Sequence, residues 1–250
     1  MLSFYASILF IVCLAHAHSW VERIYVVRDG KMIGAPGYPR GNGKNSNSAL
    51  RMDTYQTVWR TPTFKDQDMV YLLPPTGRAN NQVLLSDLAC KETQRTRNYT
   101  NASPMLIAKP SDHIRLLYQE NGHVTRISED PGHNGTSGII TVVGSRSTTG
   151  ADTIQDLLET ITNEVAHISS FDDGNCYQAN GTPEAIRRQR LIGRQRLDIE
   201  GPDHWCGQDF VLPSSLEHGD IYTLFWIWNF DGIGFRQIYT TCMDVHIFVY

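Results

Sequence analysis

Two runs near the C-terminal end, Ile221–Trp228 and Gln237–Val249, set the strongest limit on what this chain can become. Both are dense in Tyr, Phe, Trp, Ile, Val and Thr. Such side chains suit a pleated, packed surface and crowd a helix. The same reading predicts strands at Trp20–Arg28, Met69–Leu73, His113–Gln119 and Gly138–Gly144, with Asp29-Gly30 as a hairpin turn. Gly34 to Ser48 holds four Gly, two Pro and five Asn or Ser residues, which predicts a loop. Two stretches read as helices. Ile154, Leu157, Leu158, Ile161, Val165 and Ile168 share one helical face and predict a helix over 151–168. Thr182-Pro183-Glu184 supplies an N-cap, a Pro at the first position and an acid in the first turn, predicting a helix to Leu191. Its Arg187, Arg188 and Arg190 read as a solvated face. No repeat or linker divides the chain. The expected fold is all-β, an immunoglobulin- or fibronectin-like β-sandwich with long loops and short helical insertions, as a single domain over 18–250.

The first residues point to a compartment. Ile8–Leu14 is an apolar core too short to span a bilayer, and Ala15-His16-Ala17 is a small-x-small cleavage site. The region before the core has no Lys or Arg. Residues 1–17 read as a signal peptide, with His18 as the new N-terminus. No later segment reads as a membrane span or a C-terminal anchor, so a secreted, extracellular protein is expected. Cys90, Cys176, Cys206 and Cys242 remain after cleavage, with no CxxC among them. In an oxidising compartment they imply two disulfides, for which three pairings exist. Sequons at Asn98, Asn101, Asn134 and Asn180 are candidate glycosylation sites; the last is followed by Pro183. With 22 Lys and Arg against 26 Asp and Glu, the formal charge is −4. That balance argues against nucleic-acid binding and electrostatic membrane attachment.

Several enzyme signatures are missing. Gly41-Asn42-Gly43-Lys44-Asn45 lacks the Ser or Thr of a P-loop, and there is no GxSxG or HExxH. Glu164-x-x-His167 is one ExxH, where a di-iron bundle needs two.

The chemistry centres on His18. A histidine at a free N-terminus offers an α-amine and a ring Nδ1 on one residue. The amine has a reference pKa of about 7.7–8.0, so a metal displaces its proton near neutral pH. One more imidazole completes a three-nitrogen site suited to copper. That imidazole comes from His113, His123, His133, His167, His204, His218 or His246. His123 follows a strand and an Asn121-Gly122 turn, where a ligand is exposed and rigidly held. His204 beside Trp205-Cys206 reads as structural, and His246 as part of the last strand. On that strand, period two puts Gln237, Tyr239, Thr241 and Met243 on one face and Ile238, Thr240, Cys242 and Asp244 on the other.

His18 after the leader, Asn121-Gly122-His123 after a strand, and Gln237-x-Tyr239-x-x-Cys242 together resemble a family. They look like a secreted fungal histidine-brace protein of the lytic polysaccharide monooxygenase superfamily. His18–Glu22, Gly34–Gly41, Tyr118–Thr125, Phe171–Gln178 and Ile238–Asp244 are similar to a group of fungal secreted proteins within or beside it. The resemblance implies copper held by His18 and His123, with Tyr239 axial and Gln237 beside it. It implies Glu120 as a further residue next to the site, and disulfides Cys90–Cys242 and Cys176–Cys206. It also implies a monomer that cleaves cellulose, hemicellulose or chitin oxidatively, using an external reductant and O2 or H2O2. Two other classes stand beside this one. One is a brace that binds copper without oxidising anything. The other is a carbohydrate-binding or adhesion module in which His18 is incidental.

Overall fold

The computed structural model describes residues 18–41, 69–101, 103–129, 135–159, 165–193, 202–230 and 237–249. The signal-peptide reading of 1–17, the sequon at Asn134, and residues His133 and Glu164 lie outside them. Two sheets face each other. The smaller joins β1 (Val21–Arg28), β2 (Lys31–Gly37), β5 (His113–Tyr118) and β8 (Cys206–Val211) in the order β2-β1-β5-β8. The larger joins β3 (Leu72–Leu73), β10 (Gln237–Ile247), β9 (Ile221–Phe230), β6 (Ile139–Ser145) and β7 (Val165–Ser170) in the order β3-β10-β9-β6-β7. β4 (Leu106–Ala108) pairs in parallel with β10, and the other pairs are antiparallel. The fold is an all-β sandwich.

Local chemistry explains the elements. β1 turns into β2 through Asp29 and Gly30, both with positive φ (51° and 72°), the mirror-image turn that matches strand twist. Val21, Ile24 and Val26 of β1 and Ile114, Leu116 and Tyr118 of β5 point inward. There they meet Ile140 and Val142 of β6, Leu224, Trp226 and Trp228 of β9, and Tyr239, Met243 and Val245 of β10. A second core lies on the outer face of the larger sheet. Val143, Phe225, Ile227, Ile238 and Cys242 pack there against Leu73, Ala89, Cys90, Ile154 and Leu157. β9 and β10 are therefore covered on both faces, and this is why they read as almost unbroken apolar runs.

Three expectations need correction. The helix expected over 151–168 is a short α1 (Ile154–Glu159), and Val165–Ser170 is the edge strand β7. The helical spacing is real at Ile154 and Leu157, which are buried, but Ile168 is 56% exposed. Pairing of Thr141 with Ile168 and Val142 with His167 satisfies the free edge of β6, and that tertiary gain overrides local periodicity. His167 thus sits on a strand, not in a helical ExxH. The loop expected from Gly34 is strand as far as Gly37, because pairing to β1 continues there (Ile24 with Gly37). Arg188 is not solvated. In α2 (Pro183–Ile192) it is 7% exposed and forms a two-pronged pair with Asp172, while Nη1 also donates to the Cys176 carbonyl (3.0 Å). Hydrogen bonds from Arg187 and Arg188 pull the Glu184 carboxyl down to about 2.

The disulfides are Cys90–Cys242 and Cys176–Cys206. Close to the first, Arg40 reaches Asp244 with Nε at 2.7 Å and Nη2 at 2.6 Å. Arg40 is 2% and Asp244 0% exposed. Hydroxyls of Thr223 (2.7 Å) and Tyr99 (2.8 Å) also donate to the Asp244 carboxylate. Burial alone would raise this carboxyl, but the Arg40 bonds and charge, with Thr223 and Tyr99, outweigh it and hold it below its ordinary value.

Candidate functional site

The site is built around the turn that follows β5. Asn121 (φ 46°) and Gly122 (φ 89°) are successive left-handed residues, a conformation that Asn and Gly tolerate best. They reverse the chain so that the His123 N–H donates back to the Glu120 carbonyl (2.8 Å).

Glu120 holds the turn from within. It is 2% exposed. Its Oε2 accepts from the N–H of Val124 (2.8 Å) and of Thr125 (3.3 Å). Its Oε1 accepts from the Thr125 hydroxyl and from the N–H of Gln178 (2.9 Å), in the loop tied down by the Cys176–Cys206 disulfide. An ionised carboxylate only accepts, and here four donors meet it. Glu120 is thus a positioning residue for the His123 turn. In Glu120→Gln, an amide NH2 would face a donor. The expected cost is about 2–3 kcal/mol, read as a lower urea midpoint with an unchanged slope.

His18 is brought to the same turn by its backbone. The Asn121 side-chain amide donates to the His18 carbonyl. The Ser19 hydroxyl donates to the Gln119 carbonyl (2.8 Å), and the Val21 N–H donates to Thr241 Oγ1 of β10 (3.2 Å). The segment carrying His18 is therefore stitched to the turn carrying His123 and to the last strand.

The His123 ring lies against an aromatic wall. Its centroid is 5.3 Å from Trp228, 5.0 Å from Phe230 and 6.5 Å from Phe171. The exposed histidine expected after the strand end is instead 4% exposed, because this wall covers it. Trp228 also touches Tyr239, at 5.1 Å between centroids. Tyr239 is 1% exposed, and its hydroxyl donates to Gln237 Oε1 (3.3 Å). The alternation read along the last strand appears in the cores: Tyr239 and Met243 enter the inner one, Ile238 and Cys242 the outer one. His123, Trp228, Tyr239 and Gln237 thus form one cluster, and the backbone of His18 is tied to Asn121 of the turn that carries His123.

Other histidines are placed elsewhere. His204 is buried, exchanges two backbone hydrogen bonds with Tyr177 (2.9 Å each), and stacks on its ring. His167 stacks on Phe210. Among the described residues, Asp172, Asp173 and Cys176 bring three possible metal-binding atoms together, but Cys176 is spent in a disulfide. Of the sequons, Asn101 is exposed in a turn, and Asn98 is half-buried with its amide donated to Thr96. Asn180 is half-buried and hydrogen-bonded to Thr125.

Sequence reasoning named Glu120 but missed the wall and the partners of Glu120. Trp226, Trp228 and Phe230 alternate along β9, so a period-two reading would have placed three aromatics on one face. Nothing local pointed to Thr125, Gln178 or Asn180.

The family described as "Domain of unknown function (DUF7492)" matches residues 15–249. Among curated proteins, none matches the chain. Several solved structures are similar at low identity. A chitin-binding domain from Burkholderia pseudomallei is 13% identical with a TM-score of 0.29, covering 58% of this chain and 57% of its own. An AA10 lytic polysaccharide monooxygenase from Streptomyces lividans is 10% identical with a TM-score of 0.33, covering 63% and 70%. The cellulose-active monooxygenase CelS2, solved with copper, is 13% identical with a TM-score of 0.32, covering 59% and 55%. This chain therefore spans less than two thirds of the first and third of these.

Proposed function

This chain belongs to the family described as "Domain of unknown function (DUF7492)", and from that premise we propose that it is a secreted copper protein with a histidine brace that oxidatively cleaves a polysaccharide. The observation that carries the reading is the Asn121 bond to the His18 carbonyl. It ties the segment that would carry the α-amine, once the chain is cut after Ala17, to the turn that carries His123.

The donor set fits copper. The His123 imidazole, the His18 imidazole and the His18 amine, freed by cleavage after Ala17, are all nitrogen, which Cu(II) prefers. Copper bound there would supply one-electron chemistry for activating oxygen. The chain's own residues do the rest. Glu120 fixes the turn by four hydrogen bonds. Trp228 and Phe230 hold the His123 ring and keep water from it. Tyr239, packed against Trp228, and Gln237 supply a hydroxyl and an amide that are linked to each other. The polysaccharide, as cellulose, hemicellulose or chitin, and an external reductant are the partners that this chemistry requires.

The deep burial of His123 and Tyr239 favours a second reading, a protein that holds copper without oxidising anything. The two separate in one experiment. Protein with a verified His18 terminus is loaded with one Cu(II) equivalent and given ascorbate and oxygen over each insoluble polymer. Oxidised oligosaccharides are the expected product. Tight copper binding with no oxidised sugar from any polymer selects the copper-holding reading.

A further inference from the structure

Asn180 lies in an Asn-Gly-Thr sequon, so the sequence reads it as a glycan acceptor. In the fold its amide is already engaged. Nδ2 donates to Thr125 Oγ1 at 2.8 Å, and the Thr125 hydroxyl donates its single proton to Glu120 Oε1. The order is dictated by chemistry: the carboxylate can only accept, so the hydroxyl must give its proton there and take one from the amide. On its other side, Asn180 Oδ1 accepts from the Thr182 N–H (3.1 Å) and hydroxyl (2.9 Å). Thr182 is the N-cap of α2, accepting from the Ala185 N–H (3.2 Å). One amide therefore joins the start of α2 to the turn that carries His123.

We propose that Asn180 is a positioning residue for His123 and carries no glycan: its amide, through Thr125 and Glu120, sets the turn and the orientation of the imidazole. The proposal rests on the copper reading of that turn. A glycan would attach at Nδ2 itself. It would replace one of the two amide hydrogens and set a sugar ring beside Thr125, which is only 5% exposed. Pro183 directly after the sequon works in the same direction. Chains of this kind strengthen bond by bond, so loss at one end is felt at the other.

The test compares Asn180→Asp, Asn180→Ala, Thr125→Val and Thr182→Ala with wild type, each bearing a verified His18 terminus. Asn180→Asp keeps the acceptor for Thr182 but turns a lone pair toward Thr125. Thr125→Val breaks the relay from its middle. Thr182→Ala removes the helix cap and one of the two bonds to Asn180 Oδ1, but leaves the Asn180–Thr125–Glu120 bonds themselves in place. Thermal unfolding reports whether each variant folds. Cu(II) titration and EPR report the loaded site, and histidine-ring NMR of metal-free protein reads His123 directly. Asn180→Asp and Thr125→Val should lower Cu(II) affinity about tenfold, the low end for partners outside the ligand set. They should also shift the copper hyperfine pattern and move the His123 ring resonances. Thr182→Ala should unfold at lower temperature and move the His123 ring resonances less than Thr125→Val does, because the Asn180 N–H···Thr125 bond remains. Peptide mapping of protein from a glycosylating host should find Asn180 bare. Folded Asn180→Asp and Thr125→Val proteins with wild-type His123 resonances would overturn the proposal, as would a glycan on Asn180. Wild-type protein that binds no copper defeats the copper reading instead, and the NMR comparison still decides the role of Asn180.

Discussion

Protein that begins at His18 should bind one Cu(II), and His123→Ala should weaken that binding by more than about 100-fold. Removing a partner outside the ligand set already costs about 10–100-fold, and a ligand is worth more. His18→Ala should do the same. The sharper result comes from adding a single residue before His18. Both imidazoles then remain, and the Asn121 and Ser19 bonds that seat the backbone remain. The His18 α-amine is lost, converted to a peptide nitrogen that has no lone pair to offer unless its proton is also displaced. Binding should fall about as far as with a ring removed. Calorimetry with EPR on the extended and trimmed proteins checks this. Equal affinity in the two would mean that the amine is no ligand and that the brace is the wrong description of this turn.

Arg40→Met should destabilise the fold by about 3–5 kcal/mol, the usual cost of stranding one partner of a buried ion pair. The substitution keeps an apolar stem but leaves the Asp244 carboxylate inside the protein. The hydroxyls of Thr223 and Tyr99 and the half-exposed Arg97 (3.7 Å) would be its remaining partners. The pH dependence follows from the direction of the Asp244 shift. Its carboxyl titrates below the ordinary Asp value of about 3.9 when Arg40 is present. Its contribution is therefore complete above that pH and is lost as pH falls through the lower folded value. The stability gap between wild type and Arg40→Met should be widest near neutrality and narrow in acid. Urea unfolding at a series of pH values measures it. A gap that stays constant down to acid pH would show that Asp244 does not depend on Arg40 for its charge.

What could be read from the sequence follows from the range of the interactions involved. β1, β5, β6, β9 and β10 announce themselves because their side chains are buried over most of their length. β8 (Cys206–Val211) does not, since Gly207 and Asp209 interrupt it and its stability comes from pairing with β5. β7 was masked by a spacing that suits a helix equally well, and only the open edge of β6 decides between the two. At the candidate site, His18, His123, Gln237 and Tyr239 stand in motifs short enough to see. Their supports do not: Glu120 meets Gln178 across 58 residues, and Thr125 meets Asn180 across 55. Arg40 and Asp244 are 204 residues apart. An isolated Arg in a Gly- and Asn-rich stretch has the pattern of a surface residue, and only the folded chain gives it a partner.

The two faces of β10 have a consequence for how this protein avoids misfolding. Tyr239, Met243 and Val245 enter the inner core, while Ile238 and Cys242 face outward to Cys90 and its surroundings. A slip of one residue would exchange the faces. It would drive Cys242 and the charge of Asp244 into the apolar centre and turn Tyr239 away from Trp228. The sulfur of Cys242 would then point away from Cys90, so the covalent bond could not close. The Cys90–Cys242 bond thus fits the frame of the last strand that sets Tyr239 beside Trp228.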